Sequence, residues 1–158
     1  MDLESCKKVL KRVGMMATVF SALGLITGIL LFLAFHFLLP NIPELAEDSV
    51  YLSQASAINS SSMGVIFENL FSMLGGIYCR LSSRNNKYLT LAWILSILNT
   101  VISSVRFLKL FLEVSIAPYE FLAIVISLTI NVALFTACVM MRDTLKNPPA
   151  EKSEEAES

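Results

Sequence analysis

Charge is scarce in this chain, and so are the residues from which most catalytic and metal sites are built. Only 16% of its 158 residues are Asp, Glu, Lys or Arg, where a soluble domain carries about 25%. There is one histidine, His36, and there are three cysteines, Cys6, Cys79 and Cys138, at no regular spacing. A zinc site needs a His/Cys cluster and a disulfide scaffold needs an even, denser cysteine set, so the sequence argues against both. No G-x-x-x-x-G-K-[ST], H-E-x-x-H or G-x-S-x-G motif occurs, which removes the usual marks of nucleotide, zinc-protease and serine-hydrolase chemistry. Nothing resembles a basic, aromatic-interleaved nucleic-acid surface. The chain therefore reads as non-enzymatic, with no metal, no cofactor and no nucleic-acid partner expected.

What is abundant is apolar length. Hydrophobic residues make up 55% of the chain, mean hydropathy is +0.67, and a bilayer-spanning helix needs about 20 such residues. Positions 13–39 hold 27 residues with no Asp, Glu, Lys or Arg. That is too long for the apolar core of a cleaved signal peptide, so it reads as a retained first span. Three more spans are expected at about 58–79, 88–112 and 121–141. Pro40 and Pro43 stop the first helix, and Pro148 and Pro149 end the last. The expected fold is all-α: an integral membrane four-helix bundle over 13–141. A basic N-terminus (1–12) precedes it and a short, acidic, disordered tail (142–158) follows.

The basic residues orient this arrangement. Ten of the twelve lie in the N-terminal segment, the 80–87 turn and the C-terminal segment, against two (Arg106 and Lys109) on the other side. Cytoplasmic loops carry the excess of Lys and Arg, so both termini are expected in the cytoplasm. Cys6 and Cys79 then fall at the cytoplasmic boundary, where palmitoylation occurs, and both are candidates for it. The alternative is that they are reduced, packed thiols, and that reading is preferred for Cys138. Asn59-Ser60-Ser61 is a formal N-glycosylation sequon. It lies so close to the second span that occupancy is not expected.

One charge interrupts the second span. Between Ser49 and Cys79 the only ionisable acid or base among Asp, Glu, Lys and Arg is Glu68. A carboxylate inside the bilayer costs about 2.5–3.5 kcal/mol on insertion scales and faces protein or water. At helical spacing, Gly64, Glu68, Ser72, Gly75, Gly76 and Cys79 share a face. Asn99 and Asn131 lie near the middle of the third and fourth spans. The three polar groups Glu68, Asn99 and Asn131 are expected to meet as an intramembrane seam, either fixing helix register or lining an ion or proton path. The first reading is preferred, because a path usually carries more than one ionisable group. Gly24 and Gly28 form a GxxxG pair, preceded at helical spacing by Ala17 and Ser21. With Gly64, Ser72, Gly75 and Gly76 they are the expected helix-packing positions. Arg106 and Lys109 are expected to snorkel to the interface.

These residues carry a resemblance. Gly64, Ile66, Phe67, Ser72 and Gly75 are followed by the basic turn 80–87, then by Tyr88 and Leu89. Ser96, Leu98, Asn99, Ser103 and Ser104 come next, and a stretch from Glu120 and Phe121 to Ser127 follows. This is similar to the membrane-spanning four-domains family, which includes the B-lymphocyte antigen and the IgE-receptor beta chain. The similarity covers about half the chain. The chain departs from that family in its short second outer segment, which lacks cysteine, and in its short tail without tyrosine. The resemblance implies a multi-pass protein that associates laterally with receptors or with copies of itself, in receptor, trafficking or signalling complexes. Its partners would be membrane lipids and other membrane proteins, or its own copies as a homo-oligomer. The plasma membrane or an endosomal or vesicular membrane is the default location, since no retrieval, peroxisomal or prenylation signal ends the chain. The alternatives are a channel or transporter subunit using Glu68 and a MARVEL-like vesicle protein.

Overall fold

The computed structural model describes residues 2–38, 49–109 and 118–147. Four long helices account for nearly all of them: α1 (Leu3–Leu33), α2 (Ser49–Ser82), α3 (Leu89–Lys109) and α4 (Pro118–Lys146). Each is a long run with no proline in its interior. Pro118 sits where proline is tolerated, at the first position of α4, whose N–H has no helical acceptor. Asp2 caps α1 by accepting from the Ser5 N–H at 3.0 Å, and its hydrogen bonds with Ser5 hold its carboxyl below the usual range. A π-helical turn, Ala34–Leu38, follows α1, and His36 stacks there on Phe32.

Three helical segments among the described residues are long and apolar enough to cross a membrane: Leu3–Leu33, Asn86–Lys109 and Phe121–Lys146. Helix α2 stands outside that set. It carries Glu68 and Arg80, and its first third is rich in Ser, Asn and Gln. It also starts at Ser49 rather than near Ile58. With no Gly or Pro between 49 and 63 to break it, the helix extends back through the polar residues that precede the span expected at about 58. Asn59 thus lies in helix, with its side chain outside the described residues, as are residues 39–48. The turn after α2 is tight: Asn85 accepts from the Lys87 N–H at 3.1 Å and α3 begins at Leu89.

The helices pack in a ring. α1 lies along α2 and α4, α3 lies along the same two, and the diagonal pair α2 and α4 approach far less closely. α1 on α2 is the most extensive of these contacts. The buried residues of α1 explain its geometry: Leu10, Gly14, Ala17, Ser21 and Gly28 follow one another at steps of four, three, four and seven. That heptad spacing keeps a seam facing a partner helix, and most of the seam is small. At its tightest point α1 and α2 touch backbone to backbone. A Cβ on Gly76 would lie 2.7 Å from the Gly14 carbonyl oxygen, and one on Gly14 would lie 2.7 Å from that of Gly76.

The other glycines divide. Gly24 lies against the Asn69 side chain, and a Cβ on Gly28 would sit 3.0 Å from Ile66 Cγ1, so both face α2. Gly75 faces α3, 3.1 Å from Asn99 Nδ2 by the same measure. Gly64 does not pack as expected: it is exposed, and a Cβ there would have nothing within 4 Å. α1 meets this level of α2 through Val65 and Ile66, one and two residues round the helix.

Two substitutions separate these cases. Gly76→Ala is expected to lower stability by about 1–3 kcal/mol, the usual cost of forcing an extra group into a packed contact. Gly64→Ala is expected to be neutral or to raise stability by up to about 1 kcal/mol through helix propensity. Thermal unfolding midpoints in one detergent decide it, and equal midpoints for the two variants would contradict the backbone contact.

Candidate functional site

The polar groups of α2, α3 and α4 converge on Glu68, which is only 3% exposed. Its Oε1 accepts from two hydroxyls, Ser103 Oγ of α3 and Ser127 Oγ of α4, each at 2.7 Å. Its Oε2 pairs with Nη1 of Arg106, one turn beyond Ser103 on α3. A carboxylate can only accept, so three donors from two helices satisfy it with charge-assisted bonds.

The network continues along the centre of the helices. Asn131 Nδ2 donates to Ser103 Oγ at 2.7 Å, and Ser72 Oγ donates to Asn131 Oδ1 at 2.9 Å. Thr100 Oγ1 donates to the carbonyls of Ser96 at 2.7 Å and Asn131 at 3.2 Å. Asn131 is therefore one hydrogen bond removed from Glu68, through Ser103. Asn99 is not part of the Glu68 shell: its Nδ2 donates to the Phe71 carbonyl at 3.0 Å, in the space left by Gly75. Its Oδ1 is buried and finds no partner among the described residues. Of the three groups expected to meet as a seam, Asn131 thus joins Glu68 through Ser103 and Asn99 does not. Hydroxyls and a guanidinium hold it, because Asn99 lies a helical turn away, at the level of Phe71 and Gly75.

Arg106 was expected to snorkel outward. Instead it turns to the carboxylate, while its side chain keeps 29% of its exposure. The signal for this was in the chain. Ser96, Asn99, Ser103 and Arg106 recur at steps of three, four and three, which places them on one helical face. The charge of Arg106 therefore belongs to the polar stripe and continues it.

Three contacts show that α2 and α4 share one register. Glu68 with Ser127, Ser72 with Asn131 and Cys79 with Cys138 each pair residues 59 positions apart. Polar or small side chains fill the gap between these two diagonal helices at three successive levels. The lowest level is a pair of free thiols, Cys79 and Cys138, whose sulfurs are 3.3 Å apart and fully buried. Cys6 is also buried, with its Sγ 3.1 Å from Thr144 Oγ1. Acylation at Cys6 or Cys79 would require the helices to part. At the same end, Arg142 lies over the Trp93 ring, 4.1 Å from its centroid, and ties α4 to the start of α3.

Among the described residues, no group of three or more His, Cys, Asp or Glu is placed to hold a metal ion. The serines around Glu68 donate to it, so their hydroxyls are committed to the carboxylate. Comparisons with protein-family models, curated proteins and solved structures find no match to this chain.

Two outcomes follow from this geometry. Arg106→Ala is expected to destabilise the protein by about 2–3 kcal/mol, below the roughly 3–5 kcal/mol for fully buried pairs because Arg106 is partly exposed. The double variant Glu68→Gln with Arg106→Ala, which leaves no unpaired charge, is expected to recover most of that loss. A double-mutant cycle on unfolding midpoints measures it, and purely additive effects would mean the pair is not coupled. Separately, maleimide is expected to leave Cys6, Cys79 and Cys138 unlabelled in mild detergent and to label all three after denaturation in SDS. Rapid labelling of Cys79 in the folded protein would contradict its enclosure.

Proposed function

We propose that this chain is a non-enzymatic, multi-pass membrane protein that associates laterally with receptors or with copies of itself. In this reading α2 is the fourth membrane-crossing helix, the four helices form a tetraspan bundle, and both termini face the cytoplasm. The observation that carries it is the state of Glu68. Among the described residues Glu68 is the one buried carboxylate, and three internal donors engage it, which suits a pin that sets helix register. A transporting or catalytic acid needs an oxygen free for its ion, proton or substrate. The outer faces support the same reading, since Val19, Phe20, Leu23, Ile26, Leu98, Val101 and Val132 are among many exposed apolar side chains. Such surfaces suit lipid and the flanks of other membrane helices.

The resemblance to the membrane-spanning four-domains family adds the role: a component of receptor, trafficking or signalling complexes at the plasma membrane or in endosomal membranes. Purification in mild detergent, with cross-linking before lysis, is expected to yield a discrete membrane-protein partner or a homo-oligomer. Ion flux in reconstituted vesicles that disappears with Glu68→Gln, while folding is retained, would favour the channel reading and overturn this one. Topology is checked by labelling Ser83→Cys on intact cells. Reaction with an impermeant maleimide from outside would reverse the proposed orientation.

A further inference from the structure

The end of the molecule that carries the N-terminus of α1 and the C-terminus of α2 bears two adjoining clefts. The outer one, of ≈ 230 Å³, is lined by Glu4, Lys7, Lys8 and Lys11 of α1 and by Ser83 and Arg84 at the end of α2. Four cations face one carboxylate there. That carboxylate is engaged locally, with Lys8 Nζ 3.1 Å from Glu4 Oε1. Among the described residues no carboxylate forms an ion pair with Lys7, Lys11, Arg80 or Arg84. The inner cleft, of ≈ 210 Å³, shares Arg84 and adds Arg80, Thr18 and the apolar side chains of Ile77 and Leu81.

The two clefts follow one another along the α1–α2 crossing. On α1 the lining runs from Lys7 and Lys11 past Gly14 to Thr18. On α2 it runs from Arg84 through Arg80 and Leu81 to Ile77. At 1.5 Å per residue, Lys7 to Thr18 spans about 16 Å, the scale of a phospholipid headgroup with its glycerol. The order of chemistry matches as well. Cations with no ion-pair partner among the described residues stand at the helix ends. A mixed zone with Arg80 and the partly exposed Ile77 and Leu81 comes next, and then the apolar flanks of α1 and α2. A free anion would be served by the cations alone. The apolar continuation suits a ligand that is anionic at one end and acylated at the other.

We infer that this pair of clefts is a binding site for an anionic phospholipid with a phosphorylated headgroup. Its phosphates sit among Lys7, Lys11 and Arg84, Arg80 lies beside the glycerol phosphate, and the acyl chains run down past Ile77. The inference rests on the membrane reading above but does not need its partner assignment. Lys7 and Lys11, at i and i+4 on α1, face Arg84 across the crossing, so a headgroup held there bridges the two helices that make the most extensive contact in the fold.

The test uses the full chain in nanodiscs. Discs of dioleoylphosphatidylcholine alone are compared with discs containing a few per cent of a phosphoinositide with two ring phosphates. Lipid retained after extraction is read by native mass spectrometry. The phosphoinositide is expected to be retained about a hundredfold over phosphatidylcholine or more. The triple variant Lys7→Ala, Lys11→Ala, Arg84→Ala is expected to lose about a hundredfold, at about 1 kcal/mol per basic residue. Lys109→Ala, at the far end of α3, is expected to lose nothing. Equal retention of the two lipids, or retention unchanged in the triple variant, overturns the site. Soluble inositol trisphosphate bound as tightly as the lipid overturns the acylated ligand in favour of a free phosphate compound. A chain that does not enter phosphatidylcholine discs overturns the membrane reading and this inference together. Incorporation without anionic preference overturns this inference alone.

Discussion

A carboxylate enclosed among apolar helices must be answered by donors, and the packing of α2, α3 and α4 is arranged around that demand at Glu68. Each donor requires a particular helix at a particular height. Ser103 and Arg106 set the level of α3 against α2, and Ser127 sets α4. A shift of one residue along any helix would rotate a donor away by about 100° and leave the acid uncompensated, at a cost of several kcal/mol. Apolar packing alone tolerates sliding far better, since one Leu substitutes for another across a greasy interface. The ion pair therefore contributes specificity of register at least as much as stability.

The second constraint is backbone proximity. α1 contributes no side chain to the Glu68 shell, and it is held instead through shape. Gly14 and Gly76 let the two backbones touch, and Ala17, Ser21, Gly24 and Gly28 continue the same small-residue track. In a lipid environment, where apolar burial between helices gains little, such close contact is a principal source of helix association. The fold thus combines a directional core between α2, α3 and α4 with a dispersion-driven seam between α1 and α2. The same crossing that brings Gly14 to Gly76 opens outward toward the helix ends, and there it gathers the cations of α1 and α2 around the proposed lipid site.

The exposed apolar flanks and the committed interior point in one direction. Polar chemistry is spent inside on the protein's own geometry, and the described outer surface is an apolar perimeter with a basic end at Lys7, Lys11, Arg80 and Arg84. The exposed apolar flanks are the basis for the proposed lateral association.

Much of this was legible in the chain. Helix number and the approximate position of each helix followed from uncharged runs and proline stops, because the membrane-like period of hydropathy is a local property. The small-residue stripe of α1 was visible as spacing, as was the shared face of Glu68, Ser72, Gly75 and Gly76. The early start of α2 was missed, because polar residues without Gly or Pro are as compatible with helix as with loop. Only the tertiary structure decided which partners answer Glu68. Periodicity assigns a residue to a face, but the relative height of two helices depends on how their side chains interlock over long sequence separations. That is why Asn99 and Asn131, alike in the sequence, differ in space. Asn131 reaches the Glu68 shell through Ser103, and Asn99 bonds to the backbone of α2. It is also why Arg106, which the chain alone suggested would face the interface, turned inward to the acid.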